Sequence, residues 1–408
     1  MKKVIFHIDV NSAFLSWEAT WRKKEGVEGQ DLRDIPSAVG GDMSKRHGVI
    51  LAKSTPAKQY NIRTGEPITD ALKKCPELVI VPPNFEVYTK YSKAFIDILR
   101  EYTPDIEQYS IDEAFMDMTG TERLFGKPLD VAGVIKNRIK NELGFTVNIG
   151  ISDKKMLAKM ASDFKKPDRI HTLYLSEIEK KMWPLPVTDL FFVGKSTAST
   201  LEKLGIHTIG ELAKTDVGIL TANLKKHGEV IWRLANGIDS SPVETEAEAN
   251  KGYGNSTTIS FDVTDAGTAK MVLLGLTEKV AARMRDDGVS AETVSVTIKD
   301  FNLQKTSHQT VLGAPTNITD EIHSEVCRLF DELWDGTPIR LLGVSAGKLS
   351  RGGSSRQMSL FDDTDYEKLE AVDKAVDSIR NKYGVNAIKR AVFLEDRKVD
   401  GGKNGREQ

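Results

Sequence analysis

Ile106-Glu107-Gln108-Tyr109-Ser110-Ile111-Asp112-Glu113-Ala114-Phe115-Met116-Asp117-Met118 reads as two strands, Ile106 to Ser110 and Ala114 to Met118, joined by a tight connection that carries two adjacent acids. Near the N-terminus, Val4 to Asp9 is a largely apolar strand that closes on a third carboxylate. Laid beside the hairpin in one sheet, this strand brings Asp9, Asp112 and Glu113 to a common edge. Carboxylates gathered within a few ångströms repel unless cations neutralise them or their pKa values rise. Hard oxygen donors of this kind suit Mg²⁺, which keeps waters and substrate phosphates as its remaining ligands. Two such ions about 4 Å apart activate an attacking oxygen and stabilise a leaving one, the chemistry of nucleotidyl transfer. Acids at strand ends and turns are common because both places reach solvent. The pairing of Asp9-x-Asn11-x-x-Phe14 with Ser110-x-Asp112-Glu113-Ala114 is far more specific than either part alone.

Outward from these strands, Asn11 to Glu18 reads as helix. Lys23 to Arg46 is polar and glycine-rich, with only local order expected, and Val49 to Lys53 reads as a strand. Tyr88, Tyr91, Phe95, Leu99 and Tyr102 recur at spacings of three and four, which predicts a helix with one apolar face. Pro128 suits a first helical position, and Ala132, Ile135, Ile139 and Leu143 continue that helix as an apolar stripe. Phe145 to Ile151 supplies a further strand, with Ser152 the expected cap of a helix through Met156, Met160 and Phe164. The order matches a ferredoxin-like split β-α-β sheet with helices on one side.

Residues 185 to 240 read as mostly helical. Gly194-Lys195 and Gly205-Ile206 mark two short helices whose turn could offer amides and a lysine to a phosphate, although an ordinary helical hairpin has the same pattern. Glu244 to Asn255 reads as a linker. Beyond it come strands at Ser256 to Phe261, Thr293 to Ile298, Thr310 to Leu312 and Ile339 to Ala346, with helices through Leu273 to Met284 and Ile322 to Leu333. This predicts a four-stranded domain with one covered face and one polar face. A modest helix through Leu369, Val372, Val376 and Ile379 follows, and the last dozen residues are expected to be disordered.

The whole chain limits the choice of function. Its 408 residues suffice for two to four domains, and 39% hydrophobic with 28% charged residues is an ordinary globular composition. Cys75 and Cys327 are read as reduced thiols. His7, Asp9 and Asn11 interrupt the N-terminal apolar stretch, so it is not a signal peptide. No apolar run reaches the ~18 residues of a spanning helix. A cytoplasmic protein without membrane contact is expected. The net charge of −2 lends no support to nucleic-acid binding, although only the surface facing phosphates must be positive.

Phe6-His7-Ile8-Asp9-Val10-Asn11-Ser12-Ala13-Phe14 and Ser110-Ile111-Asp112-Glu113-Ala114 resemble the two acid motifs of the Y-family, or lesion-bypass, DNA polymerases, in the bacterial branch that includes polymerase IV and the polymerase V catalytic subunit. The likeness runs from residue 3 to about residue 350 and implies an α+β multidomain, right-hand polymerase. A ferredoxin-like palm would occupy 1–10 and 78–166, with small inserted fingers at 11–77. A helical thumb with a helix-hairpin-helix would fill 167–242, a separate four-stranded α/β little finger 250–350, and a tail 351–408.

By the same resemblance, Asp9 and Asp112 would bridge two Mg²⁺ ions, with Mn²⁺ a possible substitute. Glu113 would serve the ion at the primer 3′-hydroxyl, and the Val10 carbonyl the nucleotide-side ion. Phe14 matches the steric gate that excludes a ribose 2′-hydroxyl; from the residues alone it reads as core packing. Thr55 and Lys58 stand where many relatives carry tyrosine and arginine, so a hydroxyl and an ammonium remain but the bidentate guanidinium fork is absent. Lys166 matches a second triphosphate cation.

Gln357-Met358-Ser359-Leu360-Phe361 resembles the short peptide that docks on the sliding clamp. Primer-template DNA and dNTP would be the other partners of a monomer. The implied activity is translesion synthesis of low fidelity, since no segment supplies a recognisable proofreading exonuclease. A nucleotidyl cyclase would share the palm sheet but needs no thumb hairpin, second sheet domain or clamp peptide. A non-catalytic accessory module would have little need of the three acids. Between 244 and 351 there are 16 acids against 11 lysines and arginines, an unexpected balance for a domain that grips DNA.

Overall fold

Strand Ile5–Val10 is buried along its whole length and lies at the centre of a five-stranded sheet. The computed structural model describes residues 3–42, 46, 48–246, 248–351 and 365–393. In sheet order the strands are Ile106–Gln108, Glu113–Asp117, Ile5–Val10, Val147–Ser152 and Ile170–Thr172. The central strand is antiparallel to both neighbours, and its register sets Asp9 opposite Glu113 and Asn148. The last strand, parallel to Val147–Ser152, is an addition to the expected set.

Strand alternation divides the side chains between two faces. Phe6, Ile8 and Val10 enter the main core with Met116, Ile149 and Ile151. Helices Phe85–Arg100 and Pro128–Leu143 close that core with Tyr88, Phe95, Leu99, Ile135 and Ile139. On the other face Ile5 and Phe115 pack against Ala158 of helix Lys155–Ser162. Helices therefore cover both faces, correcting the expectation of one. The polar residues His7 and Asp9 lie on the same face as Ile5 and are buried. The close approach of helix Lys155–Ser162 depends on Gly150, where a Cβ would stand 1.9 Å from the Ala158 carbonyl oxygen. The helix is capped at Lys154, not Ser152. Ser152 ends the strand, and its hydroxyl donates to the Leu173 carbonyl at 2.5 Å.

Within the stretch expected to hold only local order, Ser37–Gly40 forms the middle strand of a three-stranded sheet with Ile50–Lys53 and Val79–Val81. Helices Lys195–Lys203, Ile209–Lys214, Val217–Leu224 and Lys226–Ala235 pack around Leu201, Ile209, Leu212, Leu220 and Ile231.

The chain divides into two compact units, residues 1–41 with 49–247 and residues 42–48 with 248–408. In the second unit, strands Lys305–Thr316, Val289–Asp300, Ile339–Arg351 and Gly252–Val263 lie in that order, and helices Ala266–Asp286 and Thr319–Leu333 pack with them around one core. These strands are longer than expected. The supposed linker already pairs at Gly252, and Tyr253 opposes Ala346. Lys305–Thr316 is an edge strand whose first five residues are exposed, so no apolar alternation marks them. The helix Tyr366–Tyr383 buries Asp373 while Val372 and Ile379 stay exposed, reversing the expected apolar contact. Arg285 holds it through Asp373 at 3.0 Å and Asp377 at 2.6 Å. The disorder expected for the last dozen residues, and the clamp-like peptide at 357–361, lie outside the described residues.

Candidate active site

The backbone brings the three acids to one end of the sheet. Asp9 and Glu113 are direct partners across antiparallel strands, an arrangement that puts their side chains on one face with Cβ atoms ~5 Å apart. The Val10 amide donates to the Asp112 carbonyl at 3.0 Å, so the acid-bearing turn begins where this pairing ends. Ser92 donates to the Ile111 carbonyl at 2.5 Å, and Ser110 to Asp112 Oδ1 at 2.7 Å, fixing the turn from both sides.

Two like charges in register need counter-ions, and lysines provide them. Lys166 Nζ lies 2.7 Å from Asp9 Oδ1 and 2.8 Å from Asp163 Oδ1. Lys159 Nζ contacts Glu113 Oε2, and His7 Nε2 stands 3.3 Å from the same oxygen. Burial pushes the Asp9 carboxyl up to about 7, even though Lys166 pulls it down. At Glu113 burial acts in the same direction, but His7 and Lys159 outweigh it and bring the carboxyl down to about 2. Burial works against the Lys166 ammonium, yet Asp9 and Asp163 hold its pKa above the usual lysine value. His7 is lowered, chiefly by burial.

Among the described residues no three His, Cys, Asp or Glu side chains stand together as a ready cation cage. In this conformation Asp9 and Glu113 each turn an oxygen to a lysine. The donor set nevertheless fits a hard divalent cation, because it is all carboxylate.

Lys166 is carried by a turn tied to the first strand. Asn11 Oδ1 accepts from the Asp168 amide at 2.9 Å, and Asn148 Nδ2 donates to the Lys165 carbonyl at 2.8 Å. Asp168 is itself held by Lys136 at 2.6 Å and Lys140 at 3.0 Å.

Phe14 opens the helix Ala13–Lys24 and is partly buried. Its ring stacks on Tyr88 at 4.9 Å with 13° between planes, and Phe85 meets it edge-on at 6.0 Å. The Tyr88 hydroxyl donates to buried Glu18 at 3.0 Å, and Arg22 donates to the other Glu18 oxygen at 2.9 Å. Core packing and a rigidly held ring are thus compatible readings of one residue.

Thr55 and Lys58 are exposed at opposite ends of the short helix Thr55–Lys58, capped by Ser54. Burial and the charge of Lys58 lower the nearby Lys53, a pairing that favours a polyanion. Lys53, His7 and Lys159 were missed as candidates from sequence. The signal for Lys159 was legible: Lys155 and Lys159 sit one turn apart among Met156, Leu157, Ala158, Met160 and Ala161, where a solvated lysine face is out of place.

Family models match the chain over three segments. The impB/mucB/samB family covers residues 8–163, the IMS family HHH motif 176–206, and the C-terminal domain of the impB/mucB/samB family 250–360. The chain is 50% identical to the DNA polymerase IV of Clostridium acetobutylicum, across 97% of this chain and 99% of the relative. Identity is 38% to the DNA polymerase IV of Acetivibrio thermocellus, over 97% and 99% of the two chains. It is 39% to DNA polymerase IV 2 of Bacillus subtilis, over 96% and 95%. A solved Y-family DNA polymerase chimera has the same fold, with a TM-score of 0.73 at 21% identity, over 86% of this chain and all of that one. The chain belongs to the impB/mucB/samB family of Y-family DNA polymerases and has their multidomain α+β architecture. Among the described residues no helix is long and apolar enough to cross a membrane.

Proposed function

We propose that this protein is a DNA-directed DNA polymerase for translesion synthesis, joining the α-phosphate of a dNTP to a primer 3′-oxygen with release of pyrophosphate. The observation that carries this reading is the cross-strand apposition of Asp9 and Glu113 with Asp112 on the adjoining turn. Asp9 and Asp112 would hold both of two Mg²⁺ ions, Glu113 the ion on the primer side, and the Val10 carbonyl the ion on the nucleotide side. Once bound, such a pair (Mn²⁺ could replace Mg²⁺) activates the 3′-oxygen and meets the charge that develops on the α-phosphoryl group. Lys166 stands beside Asp9, where it can pass to a triphosphate, and Lys53 and Lys58 offer further positive charge. Thr55 adds a hydroxyl on the same short helix. Phe14, backed by Tyr88, presents a fixed ring beneath the sugar and leaves no room for a 2′-hydroxyl.

Two surfaces suit primer-template DNA. Gly194 caps helix Lys195–Lys203 without a side chain, leaving first-turn amides for an outside acceptor such as a backbone phosphate. In the little-finger sheet, Ser295 opposes Ser345, which opposes Gly254; one row along, Thr297 opposes Gly343 and then Ser256. Small hydroxyl and glycine residues in adjoining rows let a backbone approach closely and offer it hydrogen bonds. Most of the excess acid lies in the connections, including Glu244, Glu246, Glu248 and Asp335, and some on the helices, while the strands carry Lys299, Lys305, Arg340, Lys348 and Arg351 against Asp262, Glu292 and Asp300. The acidic composition is therefore compatible with a DNA-facing sheet.

We place the enzyme in the cytoplasm as a monomer of low fidelity that depends on the sliding clamp, bound through Gln357–Phe361, for processive synthesis. The palm, fingers, thumb and little finger are assigned to the residue ranges given above.

Asp112→Ala should lower primer extension at least ~100-fold, the order of loss when a group stabilising developing charge is removed; extension at the wild-type rate would remove the acids from the mechanism. Phe14→Ala should raise ribonucleotide incorporation relative to deoxynucleotide, measured as the ratio of kcat/KM, and an unaltered ratio would reject the gate. Deleting residues 357–361 should abolish binding to the bacterial sliding clamp while distributive extension continues; clamp binding that survives would place the docking peptide elsewhere.

A further inference from the structure

Helix Lys155–Ser162 presents two buried lysines to acids of the sheet; each also meets an aromatic face, Lys155 that of Phe115 at 5.0 Å, but only Lys159 meets a ring from beyond the sheet and its helix. Lys155 meets both oxygens of Glu107, at 2.5 and 2.7 Å, and Glu107 also accepts the Glu244 amide at 2.8 Å. This is a structural tie. Lys159, with only 6% of its side chain exposed, contacts Glu113 and rests over a pair of aromatic rings that touch each other. Its ammonium is 5.1 Å from the Tyr109 ring centre and 5.0 Å from that of Phe191. Ring faces carry negative potential and attract a desolvated ammonium. The carboxylate and the two rings together leave Lys159 little freedom.

The rings come from different parts of the chain. Tyr109 belongs to the acid-bearing hairpin, whereas Phe191 precedes the thumb helix Lys195–Lys203. The Phe191 ring is 6.2 Å from Tyr109 and 4.3 Å from Phe192. Phe192 has φ +72°, a left-handed conformation unusual for a bulky residue, and its carbonyl accepts from His227 Nε2 at 3.1 Å. An unfavourable turn, held from the neighbouring helix, thus sets the direction of the chain next to the ring on Lys159. Strain of this kind persists where surrounding structure over-determines it, often at functional sites.

We infer that Phe191 is a positioning residue for nucleotidyl transfer: with Tyr109 it forms an aromatic seat for Lys159, which holds one oxygen of Glu113 and leaves the other for the catalytic ion. Seating of the thumb is thereby coupled to the geometry of a palm carboxylate. This inference rests on the role proposed above for Glu113.

The test combines spectroscopy on the protein without DNA or metal with primer-extension kinetics. In protein labelled with ¹⁵N-lysine, the Lys159 ammonium signal is assigned by its disappearance in Lys159→Met. It should show a ring-current upfield proton shift and slow exchange with water. Phe191→Leu should roughly halve that shift, the Tyr109 ring remaining, and lower kcat by about 10- to 100-fold with KM for dNTP little changed, the scale of loss from a small misplacement in an active site. Phe191→Tyr, which keeps a ring face, should restore both. In the Lys159→Met background Phe191→Leu should add less than about twofold, because residues acting through one contact are not additive.

An unshifted ammonium signal in the wild type would overturn the inference, as would a Phe191→Leu enzyme of normal kcat or costs that multiply in the double variant. Should Phe191→Leu fail to fold, Phe191→Met takes its place with the same expectations. Full extension by Glu113→Ala would refute the catalytic role of that acid, whereas the ammonium signal reports the aromatic seat independently.

Discussion

Asp9 and Glu113 are carboxyls, one buried and one half-buried, held in register on neighbouring strands, and much of the site offsets the cost of burying them. Cross-strand partners cannot move apart without breaking the sheet, so their charge has to be met from outside it. Lys159 and Lys166 meet it from one helix and from the turn that follows that helix. The helix can lie close enough only because position 150 is glycine. The turn is drawn in by Asn11 and Asn148, whose amides bind backbone groups on both sides of Lys166. Taking away one partner of such a buried pair strands the other, a loss on the order of 3–5 kcal/mol.

The two lysines meet that need in different ways. Lys159 rests on a pair of rings and is nearly without solvent, so it is a fixed part of the site. Lys166 keeps 30% of its side chain exposed and divides its contacts between Asp9 and the more exposed Asp163. It is the more exposed of the two cations. An ammonium that neutralises Asp9 in the resting protein and moves to triphosphate when the site fills would link nucleotide arrival to the opening of a carboxylate for metal.

The acid motifs and their meeting at one sheet edge were legible in the sequence, because strand-end carboxylates and a two-acid turn are local patterns. The helices through Tyr88 and Ile135 were legible too, from apolar spacing. What escaped depended on tertiary cover. Ser37–Gly40 lacks a long apolar run, yet it is buried between two other strands. The burial of His7 depends on the helix laid over it. Lys305–Thr316 is an edge strand, and polar edge residues leave no alternation to detect. The C-terminal helix docks through Asp373, Asp377 and Arg380, whose partners Arg285 and Glu278 lie far away in sequence, so its weak apolar stripe pointed the wrong way. Lys159 was visible as an anomaly, but its seat needs a ring from residue 191.

Mn²⁺ binding to the protein in the absence of DNA and nucleotide, followed by the EPR signal of the free ion, tests the central claim most directly. If Asp9 belongs to the cation site and Lys166 stands in for the ion, Lys166→Met should bind Mn²⁺ more tightly than wild type, and Asp9→Asn more weakly. Lys166→Met binding that is unchanged or weaker, with Asp9→Asn indistinguishable from wild type, would contradict the account.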